Sequence, residues 1–343
     1  MIKVGIIGYG YAANTFHIPL ILHTDSMQLT AISSSQSEAV KEKHPEITLY
    51  ETAESLITSG LINLVVITAP NDYHFPLAKL SLENNVNVVL EKPMTNTADE
   101  ARQLLQLADS RGLLLSVFHN RRWDGDYLTV QKILQHKKLG EVKYFESHFD
   151  RFRPIVRHRW REVAGISSGT WYDLGSHLLD QVVQLFGTPH SLTARCLLTR
   201  ENSKTTDYFH TLLHYDDLEV VLHSSSFANT PNQRFRIEGT KGSYIKYGFD
   251  VQEKQLKNGL TPINSQYGCD NKEQYGKIYS DSKVNIVKTA TGCYQQYYQG
   301  IANAIENNMP NPVTANDAII TLKLLEIAEQ SSRLGKTLSI SID

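Results

Sequence analysis

Long hydrophobic runs are missing from this chain: its longest apolar stretches are strand-sized, far short of the ~20 residues that cross a bilayer. Cysteine is scarce. Cys196, Cys269 and Cys293 are odd in number and include no C-x-x-C pair, so they make no disulfide framework and point to a reducing compartment. Neither sign of charge prevails, with 34 Lys and Arg against 36 Asp and Glu and a net charge of −2. The cations are scattered rather than clustered, which removes nucleic acid and anionic membranes from the expected partners. There are no internal repeats and no low-complexity segments. Residues 1–10 read as a strand entering a glycine turn, not as the apolar core of a signal peptide, and the cytoplasm is the expected location. At 343 residues the chain exceeds one ordinary core, so two domains are expected.

What is present starts at the N-terminus. An apolar strand over Ile2–Ile7 runs straight into Gly8-Tyr9-Gly10-Tyr11-Ala12-Ala13, the G-x-G-x-x-A form of the dinucleotide fingerprint. Gly8 permits the tight turn, Gly10 lets a pyrophosphate approach the backbone, and Ala13 keeps the following helix close to the strand. The strand–turn–helix context makes the motif far more specific than a lone match. Gly8, Gly10, Tyr11 and Ala13 are therefore candidate cofactor residues. A second strand near 27–32 ends in Ser33-Ser34-Ser35-Gln36, where NAD-specific sites carry an acid for the ribose 2′-hydroxyl. No acid occupies 33–37. Ser33, Ser34 and Ser35 leave room for a 2′-phosphate and can hydrogen-bond it, so NADP is favoured over NAD.

Farther along, strands alternate with helices, as a doubly wound sheet requires. Expected strands cover 47–50, 61–68, 87–90 and 113–118; expected helices cover 37–43, 76–84 and 98–111, the last stopped by Gly112. The strand at 87–90 delivers Glu91-Lys92-Pro93. A residue before proline is pushed to an extended conformation, so Lys92 stands at a strand tip, where open α/β sheets place ligands. Burial there disfavours the charged ammonium, a cost that suits proton transfer; a surface-loop lysine explains the segment alone equally well.

Past residue 120 the pattern changes. A helix over 123–139 precedes an alternating strand over 141–153, then a helix over 170–186 and strands near 191–199, 208–215, 219–225 and 234–238. This predicts a large, mostly antiparallel sheet. Residues 250–291 read as a polar loop excursion, and two helices over 294–307 and 315–333 close the chain and are expected to return toward the Rossmann domain. The fold class is thus α/β: a Rossmann domain over 1–120, and an α/β substrate and oligomerisation domain over 121–343. Within the 170–186 helix, Asp173 and His177 are one turn apart on one face, and Asp180 continues it. An acid beside a histidine suits proton transfer near neutral pH; a capping acid with a core histidine is the plainer account. No third ligand with suitable spacing accompanies the pair, so no metal is expected there.

Gly8–Gly10–Ala13, Glu91-Lys92-Pro93 and Asp173…His177, in this order, resemble the Gfo/Idh/MocA family of oxidoreductases, and the resemblance runs nearly end to end. Its closer likeness is to NADP-dependent scyllo-inositol dehydrogenases, carried by Phe16-His17-Ile18-Pro19-Leu20, His119-Asn120-Arg121-Arg122-Trp123-Asp124, Trp160-Arg161-Glu162 and the run from Tyr172 to His177. The resemblance implies reversible hydride transfer between nicotinamide and a secondary alcohol of a cyclitol, polyol or sugar. It also implies a C-terminal domain whose open sheet joins subunits into a homodimer or homotetramer. Lys92 would stabilise the alkoxide, His177 would take the proton, and Asp173 would partner His177 and bind a substrate hydroxyl. Glu91 would sit by the nicotinamide, and Asn71 with His74 would line the cofactor. Asn120, Arg122 and Trp160 would face substrate, although Asn120 and Arg122 serve equally as structural contacts. The resemblance departs at Gln36, where close NADP-using relatives carry arginine. Same-fold dehydrogenases of another sugar or glycoside, or a non-catalytic nucleotide-sensing regulator, remain as alternatives; a sensor has no need of lysine, aspartate and histidine together.

Overall fold

Strands that are apolar without alternation can be buried on both faces, as in a parallel sheet covered by helices. Six strands open the chain in the computed structural model, β4, β5 and β6 most nearly of this kind: β1 (Ile2–Ile7), β2 (Met27–Ser33), β3 (Thr48–Tyr50), β4 (Leu64–Ile67), β5 (Asn87–Leu90) and β6 (Leu115–Val117). They pair in parallel in the order β3-β2-β1-β4-β5-β6. The order reverses between β1 and β4, the switch point at which doubly wound sheets bind ligands beyond the strands' carboxyl ends. Every residue of β4 is buried. Local chemistry sets the helix bounds: Thr97 caps Ala98–Arg111 by accepting from the Glu100 amide, and Gly112 closes it at φ 62. The structure describes residues 1–157, 162–281 and 283–341.

The chain groups into two units. One comprises Met1–Trp123, Gln252–Gly268 and Cys293–Ile319; the other comprises Asp124–Val251, Cys269–Gly292 and the chain from Ile320. The N-terminal unit takes in two later segments as well as the chain up to Trp123.

The second unit holds nine strands: β7 (Val142–His148), β8 (Ser191–Leu197), β9 (Tyr208–His214), β10 (Glu219–Ser225), β11 (Gln233–Gly239), β12 (Gly242–Tyr247), β13 (Gly276–Ser280), β14 (Lys283–Val287) and β15 (Leu338–Ser339). Their order is β14-β13-β12-β11-β7-β10-β9-β8-β15, antiparallel except between β7 and β10. Alternation sends Phe145, Phe209 and Phe235 to a buried face, where Phe145 meets Phe186 at 5.3 Å between rings. Residues 144, 146 and 148 point the other way and are half-buried. Deep in the buried face lies Arg234, fully enclosed and therefore in need of partners. It bonds Gln181 at 2.7 Å, lies 3.3 Å from Asp126, and stacks over the Phe149 and Phe235 rings at 4.6 and 4.2 Å.

Residues 250–291 correct the sequence reading: this stretch is no loop, but supplies the helix Gln252–Lys257 and the hairpin β13–β14. The pattern hid it because β14 is an edge strand with four of its five residues exposed, so no period-two burial marks it. Strands β12 and β15 were likewise not anticipated. No described helix is long and apolar enough to cross a membrane.

The helix expected over 170–186 begins with a π turn, Trp171–Gly175, before the α-helix Ser176–Phe186. Trp171 is fully buried, donates from Nε1 to the Leu325 carbonyl at 3.1 Å, and packs edge-on against Phe209. A Cβ on Gly175 would stand 2.4 Å from the Trp171 ring. Gly175→Ala is therefore expected to destabilise the protein by about 1–3 kcal/mol through overpacking, measured as a lower urea midpoint at unchanged m-value.

Candidate functional site

The glycine turn follows β1 directly. Gly8 takes φ +95, and its amide donates to the Ser33 carbonyl at 2.9 Å, bringing the turn to the end of β2. The Thr68 hydroxyl donates to the carbonyls of Ile7 and Gly8 at 3.0 and 3.2 Å, and the Asn14 amide closes the turn on the carbonyls of Tyr9 and Gly10. A Cβ at Gly8 would meet Thr68 Oγ1 at 2.8 Å, whereas one at Gly10 would meet nothing within 4 Å. The space over Gly10 is what a dinucleotide's pyrophosphate requires, so the turn fits the cofactor the motif implies. Ala13 is fully buried and begins a π turn, Ala13–His17, that continues into Ile18–Ile21. Of the serines after β2, Ser33 is buried, Ser34 is half-buried with its hydroxyl accepting from the Gln36 amide, and Ser35 is exposed. No carboxylate stands among them. Gln36 reaches back to the Tyr9 carbonyl at 3.4 Å.

The tip of β5 is held from beneath. Lys92 is buried, 8% exposed, with its peptide to Pro93 in cis, and its amide donates to Glu91 Oε2 at 3.1 Å. The other Glu91 oxygen lies 2.8 Å from Nε2 of His17, whose Nδ1 lies 2.6 Å from the Tyr298 hydroxyl. A carboxylate only accepts, so Nε2 carries the proton. Burial holds the Tyr298 phenol well above its ordinary range, so it remains a donor toward Nδ1. The result is a buried relay, Tyr298 to His17 to Glu91 to the Lys92 amide.

His74, expected to line the cofactor, is 1% exposed and lies between the carbonyls of Pro93 and Ala69, 2.9 Å from each. Burial lowers its pKa, so the neutral ring donates to one of them at a time. It clamps the turn after β4 to the turn after β5. Asn71, 7% exposed, lies in the single turn Asn71–Tyr73 just before it. Tyr11 is half exposed and donates its hydroxyl to Glu253 at 2.7 Å; the same carboxylate pairs with Arg121 at 3.0 Å. Asn120 is buried in Asn120–Trp123, and Arg122 is engaged by Asp317 and the Pro312 carbonyl at 3.3 and 3.4 Å. That tie corresponds to the structural alternative for Arg122.

In the second unit, Asp173 sits within the π turn and His177, 7% exposed, in the first turn of the α-helix that follows. The two residues before Asp173 are fixed: Trp171 as described, and Tyr172 through a 3.0 Å bond from its hydroxyl to Glu329. Burial first, then the Glu329 charge, raises the Tyr172 phenol. Asp173, Thr170 and Leu174 line a pocket with Arg151, Arg153 and Arg200, the last bound to Asp207 at 3.0 Å. Trp160 and Arg161 lie outside the described residues.

With this geometry in view, the comparisons are decisive. The model of the oxidoreductase family's NAD-binding Rossmann fold matches residues 2–119, and that of the family's C-terminal alpha/beta domain matches residues 131–340. The chain belongs to the Gfo/Idh/MocA oxidoreductase family. It is 45% identical over 342 residues to the uncharacterized oxidoreductase YdgJ of Escherichia coli, covering 99% of each chain. It is 39% identical over 343 residues to scyllo-inositol 2-dehydrogenase (NADP(+)) IolW of Bacillus subtilis, covering 99% of this chain and 96% of that one. Among solved structures, the oxidoreductase yvaA of Bacillus subtilis superposes with a TM-score of 0.96 at 39% identity, over 99% of this chain and 98% of that one.

For a Gfo/Idh/MocA oxidoreductase, sequence reasoning missed Tyr298, Thr68 and Glu253, and gave His17 no role although it stood in the run that carries the closer likeness. The available signal for His17 was a histidine on the apolar side of the first helix; Tyr298 and Glu253 carried none, because their partners are hundreds of residues away. Two predictions follow from these contacts. Gly10→Ala should leave the melting temperature unchanged while weakening NADP binding at least tenfold, whereas Gly8→Ala should lower stability itself; fluorescence titration and thermal melts separate the two. His17→Leu removes the donor to Glu91 Oε1 and the acceptor of the Tyr298 hydroxyl, at a cost of about 1–3 kcal/mol in urea unfolding, and His17→Gln, which can still donate to Glu91, should recover part of it.

Proposed function

We propose that this oxidoreductase is an NADP-preferring dehydrogenase that transfers hydride between nicotinamide and a secondary alcohol of a cyclitol, with scyllo-inositol-type substrates first. The observation that carries the reading is the buried Lys92 at the carboxyl tip of β5, at 8% exposure. A cation that costly to bury belongs where negative charge develops on a reacting oxygen. End-to-end similarity to a relative named scyllo-inositol 2-dehydrogenase (NADP(+)) supports the substrate class and the cofactor. The acid-free run 33–37 is consistent with NADP, because no carboxylate repels a 2′-phosphate.

Gly8, Gly10 and Ala13 would hold the pyrophosphate, with Ser34 and Ser35 toward the adenosine ribose and Glu91 and Asn71 toward the nicotinamide. When bound, the nicotinamide supplies the two-electron acceptor for the carbinol hydrogen. In alcohol oxidation His177 takes the hydroxyl proton, and in the reverse direction it returns it. The Lys92 ammonium stabilises the alkoxide that forms as the proton leaves. Asp173 orients the imidazole and accepts a hydrogen bond from a substrate hydroxyl. Asn120 and Trp160 are assigned to the remaining hydroxyls, and a homodimer or homotetramer is the assembly we assign.

The test is reduction of NADP and NAD across a panel of inositols, aldoses and ketoses. Turnover of scyllo- or myo-inositol with NADP preferred is the expected result. Turnover only with another sugar keeps the catalytic assignment and discards the cyclitol; silence with tight cofactor binding favours a sensor. In Lys92→Ala, kcat should fall about 10²–10³-fold while cofactor affinity persists, and near-native turnover would remove Lys92 from the mechanism.

A further inference from the structure

The half-buried face of the nine-stranded sheet carries a row of histidines. Parallel pairing sets His223 of β10 opposite His148 of β7, and antiparallel pairing sets His210 of β9 opposite His223. Asp150, two residues beyond His148, serves both of the first two. Its Oδ2 lies 2.9 Å from His148 Nδ1 and its Oδ1 lies 2.9 Å from His223 Nδ1. Two imidazole nitrogens and a carboxylate oxygen thus lie within 4.8 Å of one another.

The surroundings are those of ligands held in aim. The far nitrogen of His148 bonds Glu146 Oε1 at 2.7 Å, and Glu146 Oε2 accepts from Gln233 at 3.2 Å. This carboxylate–histidine pairing fixes which imidazole nitrogen faces a metal and raises its basicity. Asp150 is oriented as tightly: its Oδ1 accepts from the Ser225 amide at 2.8 Å, and its own amide donates to Asn232 at 2.7 Å. All of these residues stand on strands or at their ends, so the set is braced by the sheet ladder. Two nitrogens with one oxygen suit a borderline ion such as Zn²⁺ rather than Mg²⁺ or Ca²⁺, which take oxygen sets.

We propose that His148, His223 and Asp150 form a transition-metal site, binding Zn²⁺ through both Nδ1 atoms and one carboxylate oxygen with the fourth position open. Bonds of about 2.0 Å in a tetrahedral site put ligand atoms about 3.3 Å apart. The two 2.9 Å separations run to different Asp150 oxygens and the three ligand atoms lie within 4.8 Å of one another, so closing on an ion takes side-chain rotation on the order of an ångström. The ion clips β7 to β10 beside the turn that follows β7.

The experiment is Zn²⁺ titration of the EDTA-treated, dialysed full chain by calorimetry, with Co²⁺ absorbance of the unaltered chain as a second measurement. The expected result is one equivalent bound at micromolar affinity or tighter, a raised melting temperature and a tetrahedral Co²⁺ spectrum. His223→Ala and Asp150→Asn should each weaken binding more than tenfold, and Glu146→Gln by about 10–100-fold. His214→Ala, on the same face but outside the cluster, should leave binding unchanged. Absence of both Zn²⁺ binding and a Co²⁺ spectrum in the unaltered chain overturns the site, as does binding that His223→Ala and Asp150→Asn leave intact.

Discussion

Parallel pairing extends one rung past the end of each central strand in the nucleotide-binding unit, and the chemistry-bearing turns hang from those rungs. Gly8 bonds Ser33, Thr68 bonds Ile7, Glu91 bonds Ile67 and Phe118 bonds Leu90, all main chain to main chain at 2.8–3.1 Å. The residue at each turn is therefore fixed before any side chain is considered. Because all six strands point the same way, the glycine turn, the Asn71 turn and the Lys92 tip gather at one edge of the sheet. The side-chain ties then refine what the ladder positions. Thr68 holds the glycine turn, His74 joins the turns after β4 and β5, and Glu91 anchors the lysine's amide.

The second unit solves a different problem. Its sheet is buried on one face, and strands such as β7 and β9 separate their apolar and polar residues by simple alternation. The buried charges of this face are partnered: Arg234 meets a carboxylate, a glutamine and two aromatic rings, and Lys246 meets Asp270 at 3.0 Å. Removing any one of those partners leaves a cation that water cannot reach. The helix bearing Asp173 and His177 is set against this sheet by Trp171. A rigid indole whose Nε1 bonds a neighbouring helix's carbonyl gives the π turn a fixed base.

Signals confined to a dozen residues were legible in the sequence. The helix Ala98–Arg111 and the strand Asn87–Leu90 were read to the residue, because a glycine stop and an unbroken apolar run mark them locally. The glycine turn and the buried lysine were legible for the same reason. What stayed hidden was whatever depends on register or long-range closure. His148 and His223 become neighbours only through the parallel pairing of β7 with β10, which no local pattern encodes. The hairpin β13–β14 hid because an exposed edge has no burial period to display, and Glu253 hid inside what read as a loop. Arg122 shows the same limit: its residue type was legible, whereas its tie to Asp317, far along the chain, was not.

The nucleotide-binding unit is assembled from three separated stretches of chain, and that has a consequence for how it is made. Its glycine-turn tyrosine meets Glu253 and its first helix meets Tyr298, contacts spanning 242 and 281 positions. Such closures are entropically late and slow the search for the native state. A ribosome that has released only the first 123 residues has therefore exposed all six parallel strands without the segments that brace the turn and the lysine tip. The cofactor turn and the lysine tip gain these braces only once Glu253 and Tyr298 have joined the fold, and an unbraced sheet leaves its apolar strands open to wrong neighbours.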